Sequence, residues 1–141
     1  MDSCMSHSTL LPSGDVDEFL QTLRNLLESP DFIVTRDLDI LLKKSHEAPE
    51  DPFTTQNTLL DLDFNEENVK QQLLELEVAH YLETIIDNKD ASSPPFHVFI
   101  KEIKHRDVYI KVKIRSFEHR KVFCVSFHYA RYPIKKMPYS T

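Results

Sequence analysis

Two stretches near the C-terminus, "DVYIKVKI" at 107–114 and "KVFCVSFH" at 121–128, carry chemistry-bearing residues at alternate positions. The first holds Tyr109, Lys111 and Lys113; the second holds Ser126 and His128, with Arg131 just beyond. A preceding run, "FHVFIKEI" at 96–103, contributes Lys101. Alternate residues of a strand share a face, so each run turns its polar set to one side and its apolar set to the other. Histidine takes or gives a proton near neutrality, tyrosine donates a proton or binds an anion, and the amines hold negative charge. These are the groups needed to cleave RNA through its own 2′-hydroxyl: a base, a cation for the charged phosphorane and an acid for the leaving 5′-oxygen. His128, Tyr109 and Lys101 are therefore the candidate catalytic residues, and Lys111, Lys113 and Arg131 the candidate RNA-binding ones. A plainer reading stands beside each of them. Strand lysines are commonly solvated edge protection, a tyrosine can simply cover a sheet, and a histidine can close a strand.

Other chemistries find little support. The seven histidines are scattered and no Cys-x-x-Cys or His-Glu-x-x-His spacing occurs, so no metal site is expected. With Gly14 as the sole glycine, no glycine-rich loop can cradle a phosphate, and no cofactor is expected. Cys4 and Cys124 are read as free thiols, and a thiol within a strand is ordinarily inert packing.

The positioning elements follow from periodicity. Val16, Phe19, Leu20, Leu23, Leu26 and Leu27 predict an amphipathic helix from Asp15, stopped before Pro30. Phe32-Ile33-Val34 reads as a short strand, followed by a brief helix capped by Thr35 and carrying Leu38, Ile40, Leu41 and Leu42. Residues 45–58, with two prolines and no period, read as a long loop. Asp63 or Asn65 caps a helix running to Leu76, and Val78, Leu82, Ile85 and Ile86 suggest a second helical piece. From residue 96 the period becomes two, predicting three strands in an antiparallel meander whose loops, lacking glycine, exceed two residues.

Register follows from keeping the apolar residues together. Pairing Ile110 with Phe127, Val112 with Val125 and Ile114 with Phe123 sets Tyr109 opposite His128, Lys111 beside Ser126 and Lys113 beside Cys124. Matching Ile100 with Ile110 then brings Lys101 beside Tyr109. The expected fold class is α+β, with N-terminal helices on one face of a C-terminal antiparallel sheet and the polar face left half-open.

At 141 residues and 40% hydrophobic content the chain is expected to form one domain over residues 14–141, after a disordered tail at 1–13. No apolar run is long enough for a bilayer, and the N-terminus lacks the order of a secretory signal, so a cytoplasmic protein with no membrane contact is expected. Charge is divided. Residues 1–95 hold 6 Lys and Arg against 20 Asp and Glu, while residues 96–141 hold 11 against 3. A basic surface of that kind attracts a polyanion, although two halves of opposite sign can also simply pack together.

"DVYIKVKI", "KVFCVSFHYARYP" and "MPY" resemble the MqsR family of toxins from type II toxin-antitoxin modules. "LLDLDFNEENVKQQLLEL" is similar to the helical segment that precedes the sheet in that family, as is "FIVTRD" to the start of its second helix. The resemblance spans about residues 16–139 and is strongest over 96–133. It implies a RelE-like fold and a metal-independent mRNA endoribonuclease, neutralised by a cognate antitoxin protein. The family's strand tyrosine falls on Tyr109. Its lysine closing the last strand is replaced here by His128, a permanent cation exchanged for a group that can accept a proton. A lysine of the helical segment is replaced near Glu83, and a glutamine of the first strand has Lys101 and Glu102 as nearest matches. The 45–58 loop is an insertion relative to the prototype. Two other readings remain open on the residues alone: a module that binds RNA or an acidic partner without chemistry, and an interaction protein dimerising through a strand edge.

Overall fold

Asn65 starts its helix as its residue type requires. Its side chain accepts from the Asn68 N–H while the Asn68 side chain accepts from the Asn65 N–H, which satisfies donors a helix start leaves unpaired. The computed structural model describes residues 7–86, 93–115, 121–134 and 136–140. Its elements are β1 (His7–Thr9), α1 (Ser13–Leu27), α2 (Val34–Asp37), β2 (Leu38–Ile40), α3 (Thr55–Leu62), α4 (Glu66–Leu74), a 3-10 turn at Val78–His80, β3 (Tyr81–Ile86), β4 (Phe96–Ile103), β5 (Arg106–Arg115) and β6 (Lys121–Tyr129). The fold is α+β, built on a six-stranded sheet of order β1-β3-β4-β5-β6-β2. All neighbours run antiparallel except β2 and β6, which are parallel.

One face of the sheet meets the helices. Val16, Leu20, Leu23 and Leu27 of α1, Leu59 and Leu62 of α3, and Val69 and Leu73 of α4 pack with Tyr81, Phe99, Ile110, Val112, Cys124 and Phe127 in a continuous core. Apolar burial on this scale, at roughly 25 cal/mol per Å², is the main force holding the layers together. The outer edge of β6 is covered in two stages. β2 pairs with Val122, Phe123 and Cys124, and beyond it the hydroxyls of Thr55 and Thr58 on α3 accept the backbone N–H groups of Phe127 and Tyr129 at 3.0 and 3.1 Å.

Several expected elements change type. Val78–Ile86, anticipated as helical, is a 3-10 turn followed by β3, where the β-branched Thr84, Ile85 and Ile86 suit a pleated surface. Phe32–Val34 forms no strand, and Leu38–Ile40, placed in a helix, is the strand β2. Its alternation of Leu38 inward and half-exposed Asp39 outward becomes legible once β6 is there to pair with it. Of the supposed disordered tail, residues 1–6 lie outside the described residues, while His7–Thr9 pairs with β3. The 45–58 loop is shorter than expected because α3 begins at Thr55.

Two backbone details set the register. Lys104 and His105 adopt φ of 51° and 70° and connect β4 to β5 as a two-residue hairpin closed by the Ile103–Arg106 pair. A loop longer than two residues was expected for want of glycine; these residues instead accept the left-handed conformation that the twist-matched turn requires. The tighter turn pairs Phe99 with Ile110 and Ile100 with Tyr109, and so moves Lys101 opposite Val108. The second detail is a bulge in β6. Lys111 pairs with Ser126 and Val112 with Cys124, leaving Val125 as the extra residue. The expected pairs Val112–Val125, Ile114–Phe123 and Lys113–Cys124 are thereby replaced. Ile114 faces Val122, Lys113 faces Phe123, and Cys124 turns into the core.

Candidate functional site

On the sheet face turned away from the helices, side chains fall into rows that the register defines. One row runs Ile100, Tyr109, His128; the next runs Glu83, Val98, Lys111, Ser126; a third runs Ile85, Phe96, Lys113, Phe123, Asp39. Val98 and Ile100 are buried and form an apolar floor, whereas Tyr109, Lys111 and His128 are half-buried.

Tyr109 and His128 sit together as expected. Their rings stack with centroids 5.3 Å apart and planes 13° from parallel. His128 Nδ1 lies 2.9 Å from the carbonyl oxygen of Tyr129. A carbonyl only accepts, so Nδ1 carries the hydrogen and the lone pair of the neutral ring falls on Nε2. Burial lowers the His128 pKa from its ordinary value, with Lys44 and Arg131 acting in the same direction against the Tyr129 carbonyl and Glu47, so the neutral form is favoured. The Tyr109 phenol is pushed up to about 12 by burial and by the nearby Glu83 carboxylate. It is thus a protonated group at neutral pH. One member of the pair is poised to take a proton and the other to give one.

Lys111 supplies the adjacent cation. Burial lowers its pKa, helped by Lys44, while Glu83 opposes the shift. Lys44 itself was not singled out from the sequence. Its Nζ donates to the Ser126 hydroxyl at 3.2 Å and to the Val125 carbonyl at 3.3 Å, so it stands at the same row as Lys111. The parallel pairing of β2 with β6 brings it there, a relationship across some 80 residues that no local pattern in "LLKKSHE" announces. Beside it, Glu47 accepts from the Lys44 backbone N–H at 2.8 Å, which closes the turn that carries Lys44.

Of the other predicted site residues, Lys101 is placed differently, Arg131 is held in ion pairs and Lys113 keeps its expected face. Lys101 does not join Tyr109: it points to the helix side, where its ammonium donates to Glu75 at 2.8 Å and to Gln72. Its cause is the two-residue turn, and Lys101 drops out as a catalytic candidate. Arg131 lies near the His128 end but is engaged by Asp51 at 2.5 Å and approaches Glu47 at 3.9 Å. It ties the 41–54 segment to the end of β6. Lys113 is on the expected face, two positions beyond Lys111, against the Phe96 ring and donating to Ser93 at 2.9 Å. Cys124 is fully buried with its thiol pushed up to about 12 by burial, in keeping with inert packing. Cys4 lies outside the described residues.

Among the described residues no group of His, Cys, Asp and Glu is arranged to hold a metal ion, and no helix is long and apolar enough to cross a membrane. A groove of about 440 Å³ between β2, α3 and α4 is lined by Ile40, Leu42, Leu59, Leu60 and Phe64 and contains none of the candidate site residues. No protein-family model matches the chain, and neither a curated protein nor a solved structure does.

Proposed function

We propose that this protein is an endoribonuclease that cleaves mRNA by attack of the ribose 2′-hydroxyl, acting as the toxin of a type II toxin-antitoxin module with a RelE-like fold. His128 Nε2 takes the proton of the 2′-hydroxyl. The freed oxygen attacks phosphorus, Lys111 and Lys44 hold the non-bridging oxygens as charge accumulates, and the Tyr109 phenol protonates the departing 5′-oxygen. The products are a 2′,3′-cyclic phosphate and a 5′-hydroxyl. Side chains supply base, acid and cation, so the scheme calls for no metal. The single observation behind it is the stacked Tyr109–His128 pair with Nδ1 of His128 committed to a carbonyl. The toxin assignment rests in addition on the sequence resemblance, whose strand tyrosine is Tyr109.

The test is incubation of purified protein with mixed-sequence RNA in chelator, followed by end-mapping. Cleavage should leave cyclic phosphate ends and fall by about 10²-fold or more in His128→Ala and in Tyr109→Phe. Undiminished cleavage by both variants would remove these roles. Intact RNA with every preparation, despite binding that weakens steeply with salt, would instead make the face a non-catalytic RNA-binding surface. Growth arrest on expression, relieved by the adjacent open reading frame, is the expected cellular outcome.

A further inference from the structure

The row beyond Lys111 carries two aromatic rings that the catalytic scheme does not use. Phe96 and Phe123 are half-buried, 6.0 Å apart between centroids and inclined by 59°. The rings share a face with Tyr109 and His128, because the β6 bulge turns Phe123 outward and the β4–β5 turn does the same for Phe96. Three cations crowd them. Lys113 Nζ lies 4.5 Å and Lys111 Nζ 5.0 Å from the Phe96 centroid, and the Arg115 guanidinium lies 4.0 Å from that of Phe123. Of the seven cation–ring contacts among the described residues, three gather on this patch.

Phenylalanine offers no hydrogen bond, so a ligand for this patch must itself bring a flat π surface and negative charge. Single-stranded nucleic acid brings both, a base to lie on a ring and phosphates to draw the amines away from it. Lys111 joins this patch to the proposed catalytic row, since it pairs with Ser126 and also reaches Phe96. From Tyr109 to Lys113 is four residue steps of strand, about 13 Å, which is the span of a few nucleotides. We infer that Phe96 and Phe123 form a base-stacking subsite for single-stranded RNA adjoining the scissile phosphate, with Lys113 and Arg115 engaging the flanking phosphates. Arg115 holds Asp39 at 2.8 Å and would share itself between that carboxylate and the strand. The choice of RNA over DNA rests on the nuclease reading; the stacking does not, because every base has a π face and the rings do not touch the 2′-hydroxyl.

That separation supplies the test. A labelled mixed-sequence oligonucleotide made wholly of 2′-deoxynucleotides lacks the attacking hydroxyl and reports binding alone, by fluorescence anisotropy. Wild-type protein should bind it, and Phe96→Leu and Phe123→Leu, which keep apolar volume but remove the ring, should each weaken binding by about 5- to 100-fold. Lys113→Gln should lower the log–log salt slope by about 0.7. Should a leucine variant unfold, the wild-type protein still decides the matter: abasic substitutions along the oligonucleotide should weaken binding where bases stack. Failure of the wild type to bind, affinity unchanged in both folded leucine variants, or indifference to abasic sites overturns the subsite. RNA cleavage scored in parallel keeps the two proposals apart. Ring-dependent binding with intact RNA retains the subsite and discards the nuclease, and cleavage with ring-independent binding does the reverse.

Discussion

Lowering the pH from 7 to 5 should destabilise this protein through, among other groups, one histidine that the proposed chemistry leaves idle. His97 is buried beneath α1, its ring 4.1 Å from that of Phe19, and its Nδ1 is 2.9 Å from the Thr84 hydroxyl. That hydroxyl meets Tyr81 Oη at 2.7 Å, which in turn accepts the Leu11 N–H at 3.1 Å. No charge compensates a proton there, and burial holds the His97 pKa down at about 4 from 6.5. The unfolded chain therefore binds the proton more readily, and stability rises with pH. Its contribution is complete above pH 6.5 and is lost as pH falls from there towards 4. From these two values the loss between pH 7 and pH 5 is about 2 kcal/mol, corresponding to roughly 6 °C in Tm for a domain of this size. Other groups titrate in the same range, so the informative quantity is a difference. His97→Gln keeps an acceptor for Thr84 without a titrating ring. Urea unfolding of both proteins at pH 7 and pH 5 should show the variant, whatever its stability at pH 7, losing about 2 kcal/mol less than the wild type. Parallel losses in the two proteins would refute the reasoning and show that His97 is either solvated or already protonated in the native state.

Thr58→Val should cost about 1–3 kcal/mol in urea unfolding, because the isosteric side chain leaves the buried Tyr129 N–H without an acceptor; a neutral effect would mean another acceptor takes over. His105→Gly should raise Tm by about 3 °C by relieving a φ of 70° at a side chain fully in solvent, and an unchanged Tm would show that the turn is unstrained. Lys101→Ala should leave RNA cleavage intact, since its ammonium serves Glu75 and Gln72 on the helix side, and a hundredfold loss would restore it to the site. Cleavage should climb with pH with its half-maximal point below 6.5, as expected of a base whose pKa burial has lowered. A half-maximal point above 6.5 would contradict the placement of His128.

What could be read in advance was whatever depends on near neighbours. The buried stripe of α1, the Asn65 cap and the span Phe96–Ile103 each follow from local spacing or a single side chain, and the Tyr109–His128 pairing follows from keeping Ile110 and Phe127 on one side. The errors arise where a distant partner decides. β2 and β3 are short and acquire strand character from β6 and β4, which pair with them. Lys104 and His105 give no glycine signal for a two-residue turn, and the resulting shift of one residue transferred Lys101 to the other face. Lys44 became a site residue only through a parallel pairing, which composition and period do not encode.

The extra residue at Val125 gives β6 two phases. Ahead of it Phe123 looks outward, and after it Ser126 and His128 do, so outward positions pass from odd to even numbers within one strand. Plain alternation would set Phe123 and His128 on opposite faces, because an odd number of positions lies from one to the other, and Val125 is what reunites them. Deletion of Val125 would straighten the strand yet leave Phe123, Ser126 and His128 outward with their β5 partners unchanged, so here the strand can shorten without losing the face.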